Sequence, residues 1–388
     1  MRRTLVALAV LGTLLTSVGP VASSPTEAVG DDAGEAGFDS RTSADSRAPA
    51  PIDSCTTIRE SGRYALTTDL RNVSADQCIR VRASDVVLSG RDHLVDGRGA
   101  FGTAGVAVGA WGSGVSNVTV RNLTVADWDD AVRLTEADRG VLADVTATRS
   151  RVGVRLYGAS RNRLAGVRAT GNAVHGLSLL DDSDRNVAAN VTAAGNSLFG
   201  VHLGADSSGN AVRNVTAREN EYGVVAVGVD GNSVVGGSAT GNRVAGVWLS
   251  AADGNRIADL RLTNRFYGVF LADGASNNAL AGNRATDNAV GVRLRNADGN
   301  RLRRNVASGN RDGLLFVESD RNLVAGNRVV DNRRGVSLLA SDDNRLRANE
   351  IRGNRRDFVV ARGSANNSVS RSERKIGKGL FKKCFYFF

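Results

Sequence analysis

Residues 278–294 read Asn278-Ala279-Leu280-Ala281-Gly282-Asn283-Arg284-Ala285-Thr286-Asp287-Asn288-Ala289-Val290-Gly291-Val292-Arg293-Leu294, and a closely similar phrase returns every 22 to 24 residues. Asparagine marks the start of each phrase at Asn162, Asn186, Asn210, Asn232, Asn255, Asn278, Asn300, Asn322 and Asn344. A second column runs Asn172, Asn196, Asn220, Asn242, Asn264, Asn288, Asn310, Asn332 and Asn354, and a shorter third is Asn283, Asn305, Asn327 and Asn349. Glycine recurs at Gly153, Gly176, Gly200, Gly223, Gly246, Gly268, Gly291, Gly313 and Gly335. The residue after each of these glycines is Val or Leu, and the third after it is Leu in most phrases, Ala226 and Phe316 being the exceptions. The position between them varies freely: Arg155, Ser178, His202, Val225, Trp248, Phe270, Arg293. Apolar at one and three with free choice at two is a strand with one buried face.

A repeat near 23 residues made of short strands and sharp turns is one coil of a parallel β-helix. A leucine-rich repeat has similar length, but its leucine consensus and helix signals are missing. Stacking coils at about 4.8 Å places each residue type above itself. Asparagine suits such columns because its amide can bond the turn backbone and the amide of the next rung. Glycine is expected there for the backbone angles it tolerates. The fold expected is therefore all-β, a single right-handed parallel β-helix of about 11 regular coils with asparagine ladders. The columns are scaffold, and no catalysis is assigned to them.

Residues 1–23, with Arg2-Arg3 before the apolar run Leu5 to Val18, read as a signal peptide, so export to the cell surface or a periplasm-equivalent space by a Sec or Tat route is expected. Residues 24–51, acidic and rich in Ala, Ser, Gly and Pro, read as a disordered linker. Residues 52–116 form an entrance with two aberrant coils, and 117–366 carry the regular ones. Cys55 and Cys78 flank the entrance, and an oxidising exterior would let them pair. Residues 367–388 form an irregular basic and aromatic tail that holds Cys384 and every lysine, Lys375, Lys378, Lys382 and Lys383; peripheral membrane contact through it is one expectation and a foreign terminus another. The net charge of +10 rests almost wholly on arginine, which favours acidic partners such as an anionic surface polymer. Neither a specific nucleic acid nor an oligomeric state is implied.

The entrance, Cys55-Thr56-Thr57-Ile58 through Tyr64-Ala65-Leu66, Cys78-Ile79-Arg80-Val81, Asp85-Val86-Val87-Leu88-Ser89-Gly90 and Val95-Asp96-Gly97, is similar to that of archaeal NosD-type β-helix proteins. The asparagine–glycine rungs resemble the same group, also described as carbohydrate-binding and sugar-hydrolase repeats. The likeness spans about residues 53–366 and is specific for fold rather than activity. It implies either a surface protein or a periplasmic accessory in copper-site maturation of nitrous-oxide reductase. Copper favours His, Cys and Met; the residues argue against it, because the sole methionine is Met1 and only His93, His175 and His202 remain beside the expected cysteine pair. No cofactor is implied. The ions to be considered are copper at His175 and His202, and calcium at carboxylates.

Enzymes of this fold work with carboxylates beside basic groups in a groove. The candidates here are Asp127, Asp129 and Asp130 with Arg133, Arg149, Arg151 and Arg155. Abundant Asp throughout favours a structural role for them. A second constellation is more specific. Phe199, Tyr222, Trp248, Tyr267 and Phe270 occupy outward positions or the position before a glycine on neighbouring rungs, with His175 and His202 at one side and Arg155 and Arg293 beyond the ends. Aromatic faces suit sugar rings and arginines suit acidic groups. A non-catalytic surface protein that binds carbohydrate or another surface polymer is the first expectation. A lyase, epimerase or hydrolase is the second, and a NosD-like accessory the third.

Overall fold

The computed structural model describes residues 48–370 together with Tyr386–Phe387. The expected signal peptide, nearly all of the linker, and the tail from 371 to 385 with Cys384 lie outside the described residues. Residues 48–370 form one right-handed parallel β-solenoid. A typical coil runs through a six-residue strand (Val290–Arg295), a turn, and two three-residue strands (Arg301–Arg303 and Val306–Ser308) before Asp312–Val317 starts the next. The six-residue strands stack into a 14-stranded sheet, here the long-strand sheet. The short strands form a 23-stranded sheet bent along its middle, here the bent sheet.

The 14 strands exceed the expected count of about 11 coils because the entrance is itself wound: Thr56–Ile58, Gln77–Val81 and Ala104–Val108 are three further rungs. Their periods are broken by loops, which hides them from a search for regular spacing. The first described strand, Ala50–Ile52, pairs with Gly62–Leu66 and so begins the solenoid inside the stretch read as linker. At the other end Tyr386–Phe387 pairs antiparallel with Ser368–Ser370.

Inside the coil, Val154, Leu177, Val201, Val224, Val247, Val269, Val292, Leu314 and Val336 lie in register rung upon rung, and every one is buried. Leu156, Leu179, Leu203, Leu249, Leu271 and Leu294 form a parallel stack beside them. Fully burying such a side chain contributes roughly 1.5–3 kcal/mol, so the continuous apolar columns carry the fold.

The asparagine ladders are satisfied, and all but their half-buried last members Asn349 and Asn354 are buried. Asn242 is representative: its Nδ2 donates to Asn264 Oδ1 at 2.9 Å and to the Ala217 carbonyl at 3.1 Å. Its Oδ1 accepts from the backbone N–H and the Nδ2 of Asn220 at 3.1 and 3.2 Å. No aspartate could reproduce this, since an ionised carboxylate has no donor.

The glycine column has a different cause from the one expected. None of its members has φ in the left-handed region. A Cβ at Gly223 would instead stand 2.5 Å from the Gly246 carbonyl oxygen and 3.0 Å from Ala239 Cβ. Close approach of chain to chain, not backbone freedom, excludes a side chain. Cys55 and Cys78 form a disulfide with Cα atoms 4.5 Å apart, joining the first two rungs of the long-strand sheet next to the Thr56↔Ile79 pair.

Candidate functional site

The outer face of the long-strand sheet receives the residues that strand alternation sends away from the core. Register places Arg133, Arg155, Ser178, His202, Val225, Trp248, Phe270 and Arg293 in one outward column. The position before each glycine makes the adjoining column, with Asp130, Val152, His175, Phe199, Tyr222, Ala245, Tyr267 and Val290.

The aromatic residues named from the sequence meet on this face. His175 stacks on Phe199 with ring centroids 4.7 Å apart, and His202 leans on both at 5.1 and 4.9 Å. Phe199 meets Tyr222 edge-on at 5.7 Å, and Tyr222 stacks on Trp248 at 5.0 Å. Ala245, the small residue between Tyr222 and Tyr267 in its column, leaves the indole room to lean toward Tyr222. Trp248 pairs in register with Phe270, whose ring lies 4.9 Å from Tyr267. Arg293 closes this end: its Nη1 donates to the Tyr267 hydroxyl at 2.7 Å, and its guanidinium lies over the rings of Tyr267 and Phe270 at 5.4 and 5.3 Å. Each aromatic ring is half-buried, since each covers its neighbour. The result is a packed shelf with one broad side outward.

The acidic candidates divide. Asp127, at a left-handed corner, turns to the bent sheet and pairs with Arg149, whose guanidinium also reaches Asp96 at 3.3 Å. Asp129 and Asp130 are buried at the N-terminal end of the shelf. Asp129 accepts hydrogen bonds from Nε and Nη2 of Arg151 and from the Gly102 N–H at 3.1 Å. Burial pulls its pKa upward, but the Arg151 hydrogen bond and the Gly102 N–H together hold it below the usual value. Asp130 lies 3.1 Å from Arg155 Nη1 and 3.5 Å from Arg133 Nη1. Its burial outweighs those cations and raises its pKa to about 6. Burial, with lesser repulsion from His202 and Arg155, lowers His175 to about 3; burial and Arg155 lower His202 to about 4. Both imidazoles are therefore neutral at ordinary pH and weakly basic.

Three aromatic residues escape a reading by columns. Tyr157 stands one outward position beyond Arg155 and accepts from its Nη1 at 3.3 Å. Phe101 and Trp111 belong to entrance loops that no period marks. Phe101 is 85% exposed beneath the Arg151 guanidinium, and Trp111 is 62% exposed beside Tyr157 at 5.9 Å. A depression of about 360 Å³ lined by Ile52, Ile58 and Tyr64 lies at the first described coils of the solenoid rather than on this face.

Side-chain polar atoms that are buried and have no hydrogen-bond partner are few among the described residues, and their locations coincide. They are Arg155 Nε, His175 Nδ1, Trp248 Nε1, Arg293 Nε, Ser337 Oγ and both carboxylate oxygens of Asp130, the last two ion-paired with Arg155 and Arg133 without hydrogen-bond geometry. Every one belongs to an outward position of the long-strand sheet.

Known proteins agree on the architecture. Residues 107–260 match the model of the right handed beta helix region, and residues 273–377 that of the periplasmic copper-binding protein NosD. Fold and matches together define a right-handed parallel β-helix protein. More narrowly, its C-terminal coils are similar to the NosD family over residues 273–377. Among solved structures it is similar to the A-modules of two Azotobacter vinelandii mannuronan C-5 epimerases, AlgE4 at 16% identity and a TM-score of 0.54, and AlgE6 at 16% and 0.53. The matches cover 80% of this chain and 89% and 90% of those modules, and they are likenesses of fold. No curated protein matches.

The copper in the NosD description can be tested against the donors. Residues 273–377 contain no His, Cys or Met. Cys55 and Cys78 are consumed in the disulfide, and His93 pairs with Asp69 at 3.0 Å. His175 and His202 remain, but their neighbours are Phe199 and Ser178, and the described residues hold no group of three or more His, Cys, Asp or Glu arranged for a metal. The described residues do not fit a copper centre.

Proposed function

We propose that this is an exported cell-surface protein that binds polysaccharide along the outer face of its long-strand sheet. Sugar rings would lie on the Phe199–Tyr222–Trp248–Phe270 shelf, and acidic or hydroxyl groups would reach Arg155 and Arg293. One observation carries the reading: the partnerless buried polar atoms gather on the face that also gathers the aromatic rings. A buried donor or acceptor without a partner costs about 1–3 kcal/mol, so a concentration of them is ready for a ligand that supplies partners. Apolar ring faces and spaced hydroxyls are what a polysaccharide presents. The fold likeness to epimerases that act on mannuronan accords with this substrate class.

A carbohydrate-active enzyme is the second reading, favoured by Asp130 with its pKa near 6 beneath Arg133 and Arg155. Binding without turnover is preferred on two grounds. The carboxylate of Asp130 is fully buried under those arginines, and His175 and His202 are held too acidic to serve as strong bases. Purified protein incubated with neutral and acidic polysaccharides decides between them. Retention on a polysaccharide matrix with no new unsaturated or reducing ends and no inversion of uronate stereochemistry is expected. Turnover would establish the second reading, and failure to retain any polysaccharide would remove both.

A further inference from the structure

On the far side of the coil, the C-terminal half of the bent sheet presents an arginine lattice. Arg256, Arg301 and Arg345 share one outward column at every second rung, with Ala279 and Leu323 between them. Arg303 and Arg347 repeat the alternation in the column beside it, separated by Ala325. Across the bend, Arg261, Arg284 and Arg328 form a third column. Alternate rungs place like charges about 9.6 Å apart along the axis, twice the strand spacing.

Apart from Arg328, these cations are not consumed by the protein. Glu350 pairs with Arg328 at 2.7 Å and with Arg352 at 2.6 Å. Arg256, Arg261, Arg284, Arg301, Arg303, Arg345 and Arg347 are exposed, and none has a carboxylate within ion-pair distance among the described residues. Asp259, Asp287, Asp331 and Asp343 sit at left-handed corners at its bend and edges, and Asp298 at one edge pairs with Arg321. The outward positions between the arginines are Ala, Leu, Val, Thr and Ser, with no aromatic side chain. Repelling cations held in straight columns on a rigid sheet raise the local potential and favour a linear polyanion lying along the axis.

We propose that this face is a second binding surface, for an acidic polysaccharide, separate from the aromatic shelf and independent of whether the shelf binds sugar. Uronate or sulfate groups bridge successive arginines through charge-assisted, bidentate hydrogen bonds. A nucleic acid is disfavoured because binding single strands draws on aromatic stacking, which this face lacks. A chain gripped on both faces would link two polymers.

The test compares wild type with the quadruple variant Arg301→Gln, Arg303→Gln, Arg345→Gln, Arg347→Gln, using polygalacturonate as the probe and dextran as the uncharged control. The variant is expected to bind polygalacturonate about a thousandfold more weakly at about 0.1 M salt, one decade below the molar range where the contribution of these contacts vanishes. Its plot of log affinity against log salt should flatten by about 3, from four contacts at roughly 0.7 each. Trp248→Ala should leave that salt slope unchanged. Single variants Arg301→Glu and Arg345→Glu, both at exposed positions, supply the same comparison should the quadruple variant misfold. An unchanged affinity and slope in the arginine variants would overturn the proposal. So would displacement of polygalacturonate by oligothymidylate at equal charge concentration, which would make the face a nucleic-acid surface.

Discussion

The asparagine ladders and the aromatic shelf both bury polar groups, and they treat them in opposite ways. In the ladders each amide is closed by its neighbours: Asn305 donates to Asn327 Oδ1 at 2.9 Å and to the Leu280 carbonyl at 2.9 Å, while accepting from Asn283. On the shelf, Trp248 Nε1 and His175 Nδ1 are buried and bonded to nothing in the protein. A satisfied network specifies a structure, whereas an unsatisfied one carries a standing cost that a ligand can relieve. Scaffold and site are thus separable by whether their hydrogen bonds are complete, although both are repeats of the same coil.

Damage to the ladder should be the most severe and should say nothing about binding. Asn242→Ala removes partners from the Asn220 amide, the Asn220 backbone N–H and the Ala217 carbonyl. A loss of about 4 kcal/mol by chemical denaturation is expected, several groups being stranded at about 1–3 kcal/mol each. A neutral result would break the contrast at its scaffold end. Gly223→Ala drives a methyl against the Gly246 carbonyl and should cost about 1–3 kcal/mol as overpacking. The same substitution at Gly228, where a Cβ meets no atom within 4 Å but φ is +61°, should cost less.

On the shelf the order reverses. Trp248→Ala should change stability by less than about 1 kcal/mol, yet weaken polysaccharide binding by about 1–3 kcal/mol, as expected of a large contact residue. Early melting with normal binding would mean that the ring serves packing.

The smallest effect is on pH dependence, with two opposed parts. His175 and His202 have folded pKa values of about 3 and about 4, below the ordinary 6.5. The stability they contribute is present above pH 6.5 and lost as pH falls toward those values. Asp130, raised from 3.8 to about 6, has the opposite sign: its contribution is complete below pH 3.8 and is lost as pH rises through about 6. His175→Gln should therefore flatten the acid side of a stability–pH curve, and Asp130→Asn should remove the decline between pH 4 and 6. Identical curves for wild type and both variants would show that these groups are not buried as described.

The scaffold was legible in the sequence because every rung obeys the same constraint. Val201, Val224 and Val247 face one core, and Asn196, Asn220 and Asn242 each need the next, so the period writes itself along the chain. Strand alternation likewise placed Trp248 and Phe270 outward. What escaped was aperiodic: one of the three wound entrance rungs, where two aberrant coils were expected, and Phe101 and Trp111 on loops that only the fold brings near Arg151 and Tyr157. The glycine column shows a subtler limit. Its regularity was plain, but the cause is the Gly246 carbonyl 2.5 Å from a would-be Cβ at Gly223, which only a neighbouring rung can reveal.

The central claim, that the shelf is a binding surface and not a packing device, rests most directly on the double variant Trp248→Ala, Phe270→Ala. Its affinity for the polysaccharide that wild type retains, and its thermal midpoint, are measured on the same samples. At least about a thirtyfold loss of affinity is expected, the lower end of what two contact residues contribute at about 1 kcal/mol each, with the midpoint nearly unchanged. Unchanged affinity with a clearly lowered midpoint would contradict it.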